Sequence, residues 1–114
     1  MSFPKPAPSR LARFEARYAA DQAAAAFRRV VLTRDDWHCR ACGCHVVMSF
    51  AAVPDRAEVH HLRSRLLLSA DDRLNPALAV TLCLRCHLWL KVTPPRLRQI
   101  GRTAETVSFE RERG

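Results

Sequence analysis

The sequence predicts a small α+β fold: one or two N-terminal helices, then a metal-stapled finger of two strands and a helix. Three observations carry this. Residues 10–34 contain neither Pro nor Gly and place Leu11, Phe14 and Tyr18 at helical spacing. Four of the five cysteines pair as Cys39-x-x-Cys42 and Cys83-x-x-Cys86. Two β-prone segments lie between the pairs, and the second pair opens a helix-forming run.

Each element follows from local chemistry. Residues 1–9, with Pro4, Pro6 and Pro8, form an extended or disordered arm. Ser9 is placed to cap the helical segment 10–34, which reads as one helix or as two jointed near Asp21. Ala19, Ala20 and Ala23 to Ala26 suit close packing against another element. Arg34 to Cys39 turn the chain into the first knuckle, where Gly43 occupies a position needing positive φ. His45 to Phe50 predict one strand and Glu58 to Leu62 the returning strand, with Pro54-Asp55 between them. Residues 63–78 read as irregular. A helix starts near Cys83, runs through Trp89 to about Val92, and stops at Thr93-Pro94-Pro95. Residues 94–114 form a basic tail with a short strand at Thr106 to Phe109.

Paired CxxC knuckles each bring two thiolates within reach of a single ion, so together they can close one tetrahedral zinc site. Common fingers separate such pairs by roughly 12–20 residues. Here 40 residues intervene, and the chain's only histidine doublet, His60-His61, lies inside that span. His87 directly follows the last cysteine. The arrangement suggests a structural zinc on Cys39, Cys42, Cys83 and Cys86 holding a second, histidine-based site in place. Cys44 is then a small strand residue, because four thiolates complete the tetrahedron.

The formal charge is +8. Four zinc-bound thiolates and one Zn²⁺ lower it by two, to +6, which still suits a nucleic-acid partner. No apolar run approaches the roughly 18 residues that would span a bilayer. The N-terminal residues also lack the apolar core of a signal peptide. A cytoplasmic chain with reduced thiols and no membrane contact is the expectation.

The segments "LTRDDWHCRACG", "AEVHHL" and "LAVTLCLRCH" together resemble the HNH endonuclease family over residues 30–92. The resemblance implies a ββα-metal finger spanning residues 35–93, of the subfamily stapled by a four-cysteine zinc. It implies His61 as general base, with His60 and His87 as ligands of a catalytic divalent metal. It further implies DNA as substrate, with 5′-phosphate and 3′-hydroxyl products. The family's middle asparagine falls at Leu78 in this chain, and the nearest asparagine is Asn75. Its second helix histidine falls at Lys91.

The chemistry fits these residue types. Phosphodiester hydrolysis needs a base for water, and a neutral imidazole can serve. Successive strand residues face opposite ways, so His60 and His61 addressing one phosphate calls for a bulge after Val59. Glu58 shares the His60 strand face and could orient a histidine, ligate metal, or simply be an exposed carboxylate. Arg63 and Arg65, read as alternating on one strand face, could clamp phosphates. Arg96, Arg98 and Arg102 read first as a solvated basic surface. Imidazole ligands favour Mn²⁺, Co²⁺ or Ni²⁺ over Mg²⁺. Few side chains look placed to read bases, so sequence specificity is expected to be low. The alternative is a catalytically degenerate zinc module that binds DNA or a protein partner.

Overall fold

A computed structural model describes residues 9–112, and most of the arm at residues 1–9 therefore lies outside the described residues. The elements are α1 (Arg10–Arg34), β1 (Ala57–His61), α2 (Ala70–Arg73), β2 (Ala79–Cys83), α3 (Leu84–Lys91), β3 (Leu97–Ile100) and β4 (Ser108–Arg111). Two antiparallel two-stranded sheets result, β1 with β2 and β3 with β4, giving a small α+β fold behind an N-terminal helix.

The Ser9 hydroxyl accepts the Ala12 N–H at 3.0 Å and starts α1, a contact that typically contributes about 1 kcal/mol. The helix then runs unbroken for 25 residues, so of the two readings the single helix holds and there is no joint at Asp21. Its alanine-rich sequence has high intrinsic helix propensity and nothing in it interrupts the ladder. Only Phe27, Val31 and Leu32 bury themselves. Leu11, Phe14 and Tyr18 are 65%, 66% and 58% exposed, and the alanines expected to pack closely are exposed as well.

The chain leaves α1 through Asp36 and Trp37, both at positive φ. Two backbone bonds hold that turn, Trp37 N–H to Leu32 O at 2.9 Å and Val46 N–H to Trp37 O at 2.8 Å. Gly43 has φ of 79°, as the knuckle requires. Residues 45–50 are not a strand. They make only isolated bridges, His38 with His45 and Val47 with Arg56. The partner of β1 is instead β2, in a register that pairs Ala57 with Cys83 and His61 with Ala79. Burial explains the choice: every residue of β2 is buried, whereas Met48 and Phe50 are exposed. A fully buried strand must satisfy its backbone in a ladder, and an exposed segment can use water.

Register also assigns the two faces of this sheet. Val59 packs with Phe27, Val31 and Ala79 on the α1 side. Leu62 and Val80 pack with Ala104 on the other. Asp35 bolts the layers together with a side chain only 2% exposed. It accepts from Arg34, from Arg40 at 2.9 Å and from the Thr81 N–H at 2.8 Å. Burial opposes the Asp35 charge, but these donors win and hold its pKa below the ordinary carboxylate value.

The helix expected from Cys83 appears as α3, and Val92 closes it before the prolines. The tail strand appears two residues later than expected, as β4, and its partner β3 was not expected. The segment read as irregular, 63–78, holds α2 and two short 3₁₀ turns. Among the described residues no helix is long and apolar enough to cross a membrane.

Candidate metal centre and histidine cavity

The first CxxC sits in the turn after α1, and the second straddles the β2–α3 junction. There Cys83 caps the helix, its sulfur 3.4 Å from the Cys86 nitrogen. The ligand atoms of Cys39, Cys42, Cys83 and Cys86 all lie within 4.8 Å of one another. A tetrahedron with Zn–S bonds of about 2.3 Å has sulfur–sulfur edges of about 3.8 Å. The Cys42 and Cys83 sulfurs stand 3.8 Å apart. Donor type, count and spacing therefore fit a structural metal such as zinc. Three of the four are buried, so the set is closed to substrate.

The thiols' own electrostatics favour a cation. Burial pushes the Cys39 and Cys86 pKa values up, since each thiolate would be desolvated beside others. At Cys42 burial is outweighed by hydrogen bonds from the Cys44 backbone and neighbouring thiols, bringing it to about 6. Cys44 lies outside the four-sulfur group, and burial beside Cys42 and Cys83 pushes it to about 12.

His87 follows Cys86 in the first half of α3 and faces the β1–β2 sheet. Its ring meets that of His60 edge-on at 5.3 Å between centroids. The His60 Nε2 lies 2.7 Å from Gln99 Oε1. The amide nitrogen of Gln99 donates to both Leu62 O and Gly101 O at 2.8 Å, which fixes which end of the amide faces His60. His60 Nε2 must therefore carry the proton, leaving Nδ1 as a free lone pair. His61 is set the same way from the opposite face of β1. Its ring stacks on Phe27 at 5.7 Å, and Nε2 donates to the Arg73 carbonyl at 2.9 Å. Its Nδ1 is likewise free to accept.

A cavity of about 840 Å³ joins these groups. His60, His61 and His87 all line it, beside Arg28, Arg63, Arg65, Arg73 and Lys91, and no Asp or Glu does. The expected bulge after Val59 is absent, because pairing continues unbroken through His60↔Val80 and His61↔Ala79. None is needed. The outer edge of β1 has no neighbouring strand, so one cavity reaches both faces around that edge. Arg63 and Arg65 do line the cavity, but from a bend and a 3₁₀ turn beyond the strand.

Burial lowers the His60 pKa from its ordinary value and brings His87 down to about 4, with Lys91 acting in the same direction at both. Both rings are thus neutral near pH 7, as metal ligands must be. The third donor is less well placed. Glu58 is held by Arg56 at 2.8 Å. Among the described residues only the cysteine set gathers three or more His, Cys, Asp or Glu around one point. Asn75 lies outside the cavity lining and caps the turn Pro76–Leu78 through the Ala77 N–H at 3.0 Å. It braces the segment just after Arg73, whose carbonyl holds His61.

Sequence reasoning did not find Gln99, Phe27, Arg28 or Arg73. Gln99 belongs to the unexpected β3, and the carbonyl of Arg73 acts regardless of its side chain. In comparisons with known proteins, no family model matches the chain, and no curated protein or solved structure does.

Proposed function

We propose that this chain is a metal-dependent endonuclease of the HNH type that hydrolyses DNA phosphodiester bonds. The observation that carries the reading is the shared cavity of His60, His61 and His87, walled by cations and free of carboxylates. A polyanion is the substrate such walls attract.

In this reading the scissile phosphate lies in the cavity against Arg63, Arg65 and Arg73. Water attacks phosphorus while His61 Nδ1 takes its proton. The Arg73 carbonyl and the Phe27 ring hold the imidazole in the orientation and tautomer that the transfer needs. The P–O3′ bond breaks, leaving a 5′-phosphate and a 3′-hydroxyl that takes its proton from solvent. His60 and His87 would hold the catalytic divalent ion through lone pairs kept unprotonated by burial. Such an ion, when bound, stabilises charge on the phosphate and the leaving oxygen. Zinc on the four cysteines keeps α3, and hence His87, in place.

A second reading, a zinc module that binds DNA or a protein without cutting, is favoured by the Glu58–Arg56 ion pair, which leaves two imidazoles without a ready third ligand. Plasmid nicking by purified protein with Mn²⁺, Co²⁺, Ni²⁺ or Mg²⁺ at fixed ionic strength separates the two. The endonuclease reading expects nicking with the first three ions above that with Mg²⁺. Absence of nicking with all four supports the second reading. Nicking best with Mg²⁺ would mean oxygen ligands take part, Glu58 first.

A further inference from the structure

A second cavity, of about 970 Å³, lies on the far side of α3 and shares no lining residue with the histidine cavity. At 100° per residue, Trp89 stands on the helix face opposite His87. Its half-buried indole packs on the core below and lines the cavity above. Three guanidiniums surround it. Arg85 and Arg111 lie 5.3 Å from the ring and Arg96 lies 5.8 Å away.

None of the three has a carboxylate within ion-pair distance among the described residues. The one acid lining the cavity, Glu112, is engaged by Arg98 at 3.2 Å. Arg85 also faces the Cys42 sulfur, so Arg96 and Arg111 are the cations left without an anionic partner, and holding both beside one ring favours the arrival of an anion. Most of the remaining wall, including Leu88, Val92, Pro94 and Pro95, is apolar.

We propose that this Trp89–arginine cavity binds single-stranded nucleic acid. Phosphates pair with Arg96 and Arg111, and an unpaired base lies against the indole, a guanidinium plane or the prolines. Guanidiniums around an aromatic platform suit a single strand, because its bases expose their faces. A duplex hides those faces in its stack. An acidic peptide would satisfy the charges and leave the indole and prolines unused. The inference rests on the nucleic-acid part of the proposed function and not on its catalysis. It gives the protein a place to hold a frayed or displaced strand away from the histidine cavity.

The test uses zinc-loaded, full-length protein with no other divalent metal, so that no cleavage is read. A labelled 15-mer oligothymidylate and a duplex of equal length are titrated by anisotropy. The variants are Arg96→Gln/Arg111→Gln and Trp89→Leu, with zinc content and circular dichroism establishing their fold. Trp89 fluorescence is followed in a Trp37→Phe background, where it is the only indole. Oligothymidylate is expected to quench Trp89. The double arginine variant is expected to bind it about tenfold more weakly, with the salt-dependence slope reduced by about 1.4. Duplex binding should change less.

Equal loss of duplex and single-strand binding would overturn the proposal, as would unchanged oligothymidylate affinity in the double variant. Polyglutamate displacing the oligonucleotide at equal charge concentration would also overturn it, in favour of an acidic protein partner. Should Trp37→Phe or Trp89→Leu fail to fold, anisotropy with the arginine variant decides alone. Strand binding without nicking would sink the catalytic reading and leave this one standing. Nicking without strand binding would do the reverse.

Discussion

The cysteine cluster and the histidine cavity meet at neighbouring residues of α3, Cys86 and His87, yet they are built in opposite ways. The cluster has four donors of one kind, three of them buried, all within 4.8 Å of one another. An ion there would be saturated and could only hold structure. The cavity has imidazoles fixed by outer partners, Gln99 for His60 and the Arg73 carbonyl for His61. Their Nδ1 lone pairs are unspent and the surrounding walls are cationic. A closed donor set marks where the fold is tied. In the proposed function the open set, with its ring orientations already fixed, is where substrate enters.

That contrast predicts different responses to damage. The largest belongs to the cluster. Chelation should unfold the finger, because structural zinc binding, on the order of 10–16 kcal/mol in finger peptides, is folding energy. Elemental analysis and circular dichroism should show one zinc per chain, lost together with ordered structure. A folded, metal-free protein would erase the distinction between the two regions. Cys44→Ser should keep its zinc, and loss of it would mean the ligands were misassigned.

An intermediate effect is expected at the cavity. Gln99→Leu removes the acceptor that fixes the His60 tautomer. Changes of that kind typically cost about 10–100-fold in metal affinity. Calorimetric titration with Mn²⁺ should show that loss while zinc content holds, with a modest fall in melting temperature because Leu62 O and Gly101 O lose the Gln99 amide donor. Unchanged Mn²⁺ binding would mean that His60 is not oriented through Gln99.

The smallest effect is a pH dependence. Burial keeps His87 neutral down to about pH 4, whereas an unfolded chain takes up that proton near 6.5. The neutral ring therefore costs nothing above pH 6.5, and stability falls as pH drops from 6.5 toward 4. The ring is partly exposed, so screening should keep the loss below about 1 kcal/mol between pH 7 and 5.5. The melting temperature of wild type should fall with acid more steeply than that of His87→Gln, and parallel pH dependences would contradict the assignment.

How much of this was legible in the chain depended on how local the signal was. The cysteine set, the Gly43 turn, α3 and its proline stop follow from spacing and from residues acting on their immediate neighbours. The pairing of β1 with β2 did not, because the β-prone segment 45–50 looked a better partner than it is. Pairing is decided by which segment is buried, and α1 and the β3–β4 hairpin decide that from far along the chain. The histidines were legible as a doublet, but their orientation was not. Gln99 lies 39 residues from His60, and the Arg73 carbonyl carries no side-chain signature. The Glu58–Arg56 pair shows the converse: an acid at the right strand position is claimed by a neighbour two residues away.

In the proposed function His61, within the cavity, activates water for DNA cleavage. Plasmid nicking with Mn²⁺, comparing wild type with His61→Ala, tests it most directly. A positioned general base typically contributes on the order of 10²–10⁴-fold in rate. His61→Ala is expected to lose activity by that factor, with zinc content and plasmid binding unchanged. Wild type that nicks while His61→Ala nicks equally well would contradict it.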